Sequence, residues 1–256
     1  MKVRVLGCHG AELSNHGTCG FLVNRSVLLD GGTICSSLTI AEQRKIRYVL
    51  ISHIHADHIK GLPFLSENLI GQRGQKPVVV ISIRPVLAGL RRHLFNNQIW
   101  PDFTKLPSRS NPIFRLRAIR EGETIKIDGL EVQAFRVNHT IPCAGFLIRQ
   151  KNSSLLYSGD TYKTDKIWKI AAKAPDLKAA IIETSFPNSL RDLAVSSKHL
   201  TPALLLQEFS KIGKPRLPLY IYHMKPRYLE AIRRELKQLK IKKLIMLKDG
   251  MIFDVT

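Results

Sequence analysis

The apolar run of residues 48–52 leads directly into a dense cluster of ionisable side chains: His53, His55, Asp57 and His58. Burying unpaired polar groups costs free energy, so few folds accommodate such a cluster unless a positive charge neutralises it. Imidazole nitrogens with a carboxylate are ligands that suit zinc-type ions. Because residues two apart in an extended segment project the same way, we expect His53 and His55 to share one ion. Asp57 and His58, one step on, can then turn toward a second ion.

Several other apolar, β-branched runs end at a histidine or an aspartate. They cover residues 27–30, 130–139, 155–160 and 219–223, which end at Asp30, His139, Asp160 and His223. Such runs are typical of buried strands, so these side chains are expected to be rigidly held and open to a cleft. Helical periodicity alternates with the runs, over residues 84–97, 164–174, 202–212 and 227–240. The alternation predicts a layered sandwich with sheets inside and helices outside.

Domain organisation and location follow from what the sequence lacks. Its 256 residues contain no Pro/Gly/Ser-rich linker and no internal repeat, which predicts a single domain over residues 1–256. The N-terminus lacks the apolar run of a signal peptide and no later stretch approaches a membrane span, so no membrane partner is expected. The four cysteines show no C-x-x-C spacing and predict no disulfide framework, which favours a reducing cytoplasm.

The order of the chemical residues resembles that of the metallo-β-lactamase superfamily, whose H-x-H-x-D-H motif is followed by a lone His, a lone Asp and a final His. The resemblance implies an α/β fold (α+β by some schemes), namely a four-layer αββα sandwich that binds two divalent metal ions. Carried over residue by residue, the resemblance implies that one ion is bound by His53, His55 and His139. It implies that the other ion is bound by Asp57, His58 and His223, and that Asp160 bridges both.

Two further features of the metal site follow. Zinc is favoured by the ligand types, although manganese and iron accept similar sets. We count Asp57 among the catalytic residues as well as the ligands. Asp30 resembles the superfamily's early Asp-Gly element, which lies behind the site, where a buried acid can fix a ligand imidazole through its second nitrogen. An aspartate before two glycines is equally typical of a turn, and the two interpretations are compatible.

Longer segments resemble the class II cyclic-nucleotide phosphodiesterases in particular. They are residues 51–63, 95–102, 182–188, 199–202 and 222–226, which together span nearly the whole chain. The chain departs from that family at Ala56, where leucine is usual. The resemblance implies hydrolysis of a 3′,5′-cyclic nucleotide, such as cyclic AMP or cyclic GMP, to the 5′-monophosphate. The nucleophile would be a hydroxide held between the two ions, attacking phosphorus in line.

His199 is not needed as a ligand, yet it precedes a helix start at which Thr201 can cap the helix and Pro202 suits the first position. A helix N-terminus favours bound phosphate. In phosphodiesterases of this superfamily the matching histidine faces the phosphate and the leaving group. The resemblance therefore implies that His199 is the general acid that protonates the departing 3′ oxygen. A surface histidine beside a cap is the alternative.

The formal net charge of +20 bears on the partners. Such an excess concentrates anions near the surface, which suits a small anionic phosphodiester substrate. The charge exceeds what a mononucleotide requires, so nucleic acid also stays open as a partner. A homodimer is compatible with the sequence.

Other functions stay open because the fold alone does not fix the reaction. A tRNA 3′-end-processing endonuclease would use the charge well. Such enzymes usually carry a flexible tRNA-gripping arm between the lone His and the bridging Asp, whereas the short interval from His139 to Asp160 predicts two adjacent strands. Another cyclic phosphodiester is a further candidate substrate. A nucleic-acid-binding protein that keeps the metal site only as structure is disfavoured, because structural zinc sites have four ligands and this set is larger.

Overall fold

The computed structural model describes residues 1–72 and 74–256. In chain order the strands are β1 (Lys2–Gly7), β2 (Gly20–Val23), β3 (Val27–Leu29), β4 (Tyr48–Leu50), β5 (Val78–Ser82), β6 (Phe114–Ala118), β7 (Thr124–Ile127), β8 (Leu130–Val137), β9 (Cys143–Gln150), β10 (Ser153–Tyr157), β11 (Leu177–Glu183), β12 (Leu219–Tyr222), β13 (Leu244–Met246) and β14 (Ile252–Asp254). The α-helices are α1 (Ile40–Gln43), α2 (Ala56–Ile59), α3 (Gly61–Leu69), α4 (Arg84–His93), α5 (Lys166–Lys173), α6 (Arg191–Ser196), α7 (Pro202–Ser210) and α8 (Leu229–Gln238). Short 3₁₀ helices cover Asn188–Leu190 and Pro226–Tyr228.

Across this described part of the chain, the strands form two seven-stranded mixed sheets. The first has the order β14-β1-β2-β3-β4-β5-β6, with antiparallel pairing from β14 to β3 and parallel pairing from β3 to β6. The second has the order β13-β12-β11-β10-β9-β8-β7, parallel from β13 to β10 and antiparallel beyond. Helices flank the sheets, so the predicted α/β sandwich is confirmed.

The alternation of side chains along β11 shows how the layers pack. Ala179 and Ile181 belong to a buried cluster that also contains the core residues of the first sheet. Ala180 and Ile182 belong to a second cluster, formed with residues of α5, α7 and α8. Because successive side chains of a strand project to opposite faces, one face of β11 meets the other sheet and its opposite face meets helices. Parallel strands are stable when both faces are covered in this way.

The four predicted helices are present with shorter ends. The patterns at residues 84–97, 164–174, 202–212 and 227–240 correspond to α4, α5, α7 and α8. The first of these ends at His93, and the chain beyond it cannot stay helical because Asn97 has a φ of 61°, in the left-handed region. Among the described residues, no helix is long and apolar enough to cross a membrane.

Candidate metal centre

Strand ends bring the chemical residues together. In the first sheet β3 and β4 run parallel, and the residues just beyond their carboxyl ends include Asp30 and His53. In the second sheet β10, β11 and β12 run parallel, which places Asp160, Glu183 and His223 at one edge. The carboxyl ends of parallel strands are where open α/β sheets bind ligands.

The first predicted ligand set converges on a small volume. Nδ1 of His55 lies 3.0 Å from Nε2 of His53 and 3.2 Å from Nε2 of His139. His53 and His139 are buried, and His55 is half-buried. Three imidazole nitrogens this close to one another are arranged as ligands of a single ion.

The second set meets the first at Asp160. Oδ2 of Asp160 lies 3.2 Å from Nε2 of His58 and 3.0 Å from Nε2 of His223. Nε2 of His223 is also 3.1 Å from Oδ2 of Asp57. On its other side, Oδ2 of Asp160 is 3.7 Å from Nε2 of His53. One buried carboxylate therefore contacts both sets, as the bridging assignment requires.

The His58 imidazole shows that this cluster suits a metal ion. Nδ1 of His58 donates to Oδ2 of Asp30 at 2.7 Å. The buried Nε2 faces Oδ2 of Asp160 at 3.2 Å but has no well-aligned hydrogen bond within the part of the chain that the structure describes. A buried nitrogen that faces a carboxylate without a well-aligned hydrogen bond is costly, and a cation between the two groups would satisfy both. The surrounding imidazole and carboxylate groups are ligands that divalent ions of the zinc class accept.

Asp30 supports His58 from behind. Its fully buried carboxylate also accepts hydrogen bonds from the Tyr157 hydroxyl at 2.6 Å and from the backbone and hydroxyl of Ser52 at 2.6 and 2.7 Å. Asp30 has a φ of 55°, a left-handed conformation that aspartate adopts more readily than most residues. The segment therefore leaves the strand in a left-handed conformation, bends at Gly32 and Thr33, and also fixes the orientation of an imidazole.

The electrostatics of the centre favour added positive charge. Burial disfavours the charged form of His58, but the Asp160 and Asp30 carboxylates outweigh it and raise the pKa of His58 well above its ordinary value. Burial likewise opposes charge on His223, yet Asp160 raises the pKa of His223 to about 9. Around His139 burial dominates and lowers its pKa to about 4. The carboxylates beside His58 and His223 thus call for positive charge, which protons or a divalent cation can supply.

Glu183 and Ser185 form a network that the sequence alone did not assign to the site. The fully buried Glu183 accepts at Oε1 from Nδ1 of His199, at 2.8 Å, and at Oε2 from the Ser185 hydroxyl, at 2.8 Å. The Ser185 oxygen lies 2.7 Å from Nδ1 of His223, from which it can accept. One carboxylate therefore orients His199 directly and His223 through a serine. The signal that identifies Glu183 is the apolar run of residues 179–182, which leads into an ionisable residue as the other runs do.

His199 lies beside the ligands, 7% exposed. Its ring centroid is 5.0 Å from those of His139 and His223. Since Glu183 accepts the Nδ1 proton, Nε2 is the nitrogen available to a substrate. The predicted helix start is present: the Thr201 hydroxyl caps α7, and proline occupies its first turn. The His199 ligand atom is also within 4.8 Å of those of His139 and Asp160, so proximity alone does not separate an acid from a ligand.

Comparisons with known proteins agree with this geometry. A family model described as a beta-lactamase superfamily domain matches residues 33–224. A curated relative in Yersinia pestis, named as a probable 3′,5′-cyclic-nucleotide phosphodiesterase, is 29% identical over 74% of this chain and 60% of that protein. A ribonuclease Z of Metallosphaera sedula is 28% identical over 61% of this chain and 51% of that protein. The chain thus spans between half and three-fifths of the length of these relatives.

A solved structure shows the same fold over almost the whole chain. Unliganded yeast PDE1 superposes with a TM-score of 0.82, covering 98% of both chains at 19% identity. At that identity the likeness establishes the arrangement of the sheets and helices, while the chemistry must be argued from the side chains.

Proposed function

Since this chain belongs to the β-lactamase superfamily, we propose that it is a binuclear metal-dependent phosphodiesterase that hydrolyses a 3′,5′-cyclic nucleotide to the 5′-monophosphate. The observation that carries the proposal is the convergence of two ligand sets on one buried carboxylate, with an oriented histidine beside them. In the proposal one ion is bound by His53, His55 and His139. The other ion is bound by Asp57, His58 and His223, and Asp160 bridges the two. Zinc is the metal we propose, from the ligand types.

Divalent ions bound there would activate water and stabilise charge on the phosphate oxygens. The chain itself fixes the tautomers of two ligands, through Asp30 on His58 and Ser185 on His223. The side chain of Asp57 is 24% exposed, so its carboxylate can also orient the attacking water. This is the catalytic part that we assign to Asp57 beside its role as a ligand.

The general acid in this proposal is His199. Glu183 holds its Nδ1 proton, so that Nε2 can deliver a proton to the departing 3′ oxygen. General acid catalysis of this kind contributes ~10²–10⁴-fold to the rate. The ring of Phe186, from the segment Ser-Phe-Pro-Asn, lies 5.9 Å from the His199 ring. Two segments that resemble cyclic-nucleotide phosphodiesterases therefore meet beside the candidate metal ligands, which supports a cyclic nucleotide as substrate.

A tRNA 3′-processing endonuclease is the second candidate, favoured by the relative named ribonuclease Z and by the net charge of +20. The interval between His139 and Asp160 weighs against it. That interval consists mainly of β9 and β10, an antiparallel pair joined directly by a turn, which confirms the prediction of two adjacent strands. A tRNA-gripping arm has no place between them. Another cyclic phosphodiester remains an alternative substrate within the same chemistry.

A hydrolysis panel with metal-replete protein separates these candidates. It comprises cyclic AMP, cyclic GMP, a cyclic dinucleotide, bis-p-nitrophenyl phosphate and a precursor tRNA. We expect turnover of the cyclic mononucleotides, and its loss after chelation. Cleavage of the precursor tRNA without turnover of cyclic nucleotides would establish the endonuclease instead. Inactivity toward every phosphodiester in the metal-replete state would refute both.

A further inference from the structure

A second group of metal-binding side chains lies where the first strand meets the C-terminal segment. It consists of Cys8 and His9, which directly follow β1, and Asp249, which precedes β14. None of the three has a role in the proposed hydrolysis. Cys8 and His9 are buried, whereas the side chain of Asp249 is 26% exposed.

The three ligand atoms are spaced like the corners of a tetrahedral zinc site. Sγ of Cys8 lies 3.3 Å from Oδ1 of Asp249 and 3.8 Å from Nδ1 of His9, and the latter two atoms are 3.4 Å apart. With the usual zinc bond lengths to sulfur, nitrogen and oxygen, tetrahedral ligand atoms lie about 3.3–3.6 Å from one another. The observed edges match those of such a tetrahedron to within about 0.3 Å.

We propose that Cys8, His9 and Asp249 form a third metal site, separate from the binuclear centre, which binds a divalent ion of the zinc class. The charges balance, because a thiolate and a carboxylate together neutralise a doubly charged ion. Thiolate and imidazole ligands select zinc over calcium or magnesium, which require oxygen.

Without a cation, the proton of the Cys8 thiol keeps the thiol and the Asp249 carboxylate in contact. The Cys8 thiol donates a hydrogen bond to Oδ1 of Asp249 at 3.3 Å. Metal binding converts the thiol to a thiolate and releases this one proton to solvent. The carboxylate is already fixed, since the backbone amides of Cys8 and Gly17 also donate to it.

The fourth corner of the tetrahedron has a candidate ligand and access to solvent. A cavity of about 440 Å³ borders the cluster and is lined in part by Asp249 and His16. The His16 ring stands edge-on to the His9 ring, with centroids 4.6 Å apart. His16 or a water from this cavity would complete the coordination.

A metal here would fasten the first strand to the C-terminal segment. The site would also be connected to the binuclear centre by a backbone hydrogen bond, because the amide of His223 donates to the carbonyl of Cys8 at 2.7 Å. A ligand that binds only the folded chain raises its stability by mass action. We therefore expect the thermal unfolding temperature to rise at the metal concentration that fills this site.

Cobalt(II) substitution tests the proposal, because a thiolate ligand gives a near-ultraviolet charge-transfer band that histidine and aspartate ligands do not. The fully loaded protein should bind three cobalt ions per chain and show the band. Cys8→Ser should lose the band and one ion. Cys35→Ser is the matched control: Cys35 is half-buried and contacts Gln43 outside the cluster, so the variant should keep both. Asp249→Asn, which preserves shape, should also bind one ion fewer, and provides the test if Cys8→Ser fails to fold.

Absence of the band from the loaded parent protein would overturn the proposal. Persistence of the band in Cys8→Ser would also overturn it and would place the sulfur at another cysteine, such as Cys19, which neighbours His58 and His223. Neither readout depends on turnover. Failure of the third site is therefore distinguishable from failure of the proposed phosphodiesterase activity.

Discussion

At the scale of single residues, Asp160 shows how the centre is built. It is 1% exposed and lies within contact distance of His53, His58 and His223. Burial alone would favour the neutral carboxyl, but the charges of His223 and His58 hold the pKa of Asp160 well below its ordinary value. An ionised carboxylate with imidazoles on both sides is suited to bridging two cations.

Metal loading is expected to release protons near neutral pH. With its pKa raised to about 9, His223 carries a proton at neutral pH in the metal-free protein, and it must lose that proton to bind a metal. Metal affinity should therefore weaken as the pH falls, and the proton release by His223 should fade as the pH rises above its pKa. Calorimetric titration of zinc into chelator-treated protein, in buffers of different ionisation enthalpy, counts the protons. No proton release near neutral pH would remove His223 from the ligand set.

His199→Ala is expected to distinguish a general acid from a ligand. The variant should keep both ions of the centre and lose ~10²–10⁴-fold in kcat on a cyclic nucleotide, whose leaving alkoxide needs a proton. On a p-nitrophenyl phosphodiester, whose leaving group needs none, the loss should be much smaller. His93→Ala, at an exposed histidine of α4, is the control and should match the parent. Equal losses of His199→Ala on both substrates would point to phosphate binding or metal positioning instead.

At the scale of elements, the site depends on loops that follow strands in different sheets. The loop after β1 packs on the loop after β12, where His223 has a φ of 67° and its amide donates to the carbonyl of Cys8. Gly10 follows at the closest approach: a Cβ there would lie 2.6 Å from Nδ1 and Cε1 of His223. The close approach of these loops is possible because this position has no side chain.

Gly10→Ala is therefore expected to displace His223 and lower metal affinity or activity by about 10–100-fold, the usual effect of disturbing a ligand's support. Metal analysis and activity of the purified variant measure this. Gly129→Ala is the control: Gly129 has a φ of 74°, and a Cβ there would meet no described atom within 4 Å. The strain at Gly129 costs roughly 1–2 kcal/mol of stability, yet metal content should stay at the parental level. Parental metal content and activity in Gly10→Ala would contradict the packing argument.

The same elements show how far the sequence could predict the structure. Apolar runs that end at Asp30, His139, Asp160 and His223 were sufficient to predict strands with ionisable ends, because strand burial and strand polarity are local properties. Glu183 was not assigned to the site, since its proximity to His199 arises only when β11 lies between β10 and β12. Helix ends were overestimated for a related reason: periodicity continues past α4, while backbone conformation at Asn97 stops it.

At the scale of the whole molecule, most of the buried apolar side chains that the structure describes form two clusters. One joins the two sheets and holds α3 and α4 against the first sheet, and the other attaches α5, α7 and α8 to the second sheet. The site lies at the carboxyl ends of the parallel strands, so the core holds ligands from both sheets in one place. The chain also carries a net charge of +20, whose electric field extends over longer distances and attracts anions.

The charge is expected to steer anionic substrates rather than take part in the chemistry. Raising the salt concentration should therefore lower kcat/KM for a cyclic nucleotide and leave kcat nearly unchanged. Steady-state kinetics over a salt series, at fixed pH and metal concentration, measure both constants. A kcat/KM that does not depend on salt would show that the charge serves another purpose.

Hydrolysis of cyclic AMP in ¹⁸O-labelled water by the metal-loaded protein tests the central claim most directly. If the two ligand sets hold ions that direct water onto phosphorus, the product is 5′-AMP with a solvent oxygen on its phosphate. Chelator-treated protein and the Asp160→Ala variant should form almost none of it. No turnover by the metal-loaded protein, a 3′-AMP product, or undiminished turnover by Asp160→Ala would contradict the claim.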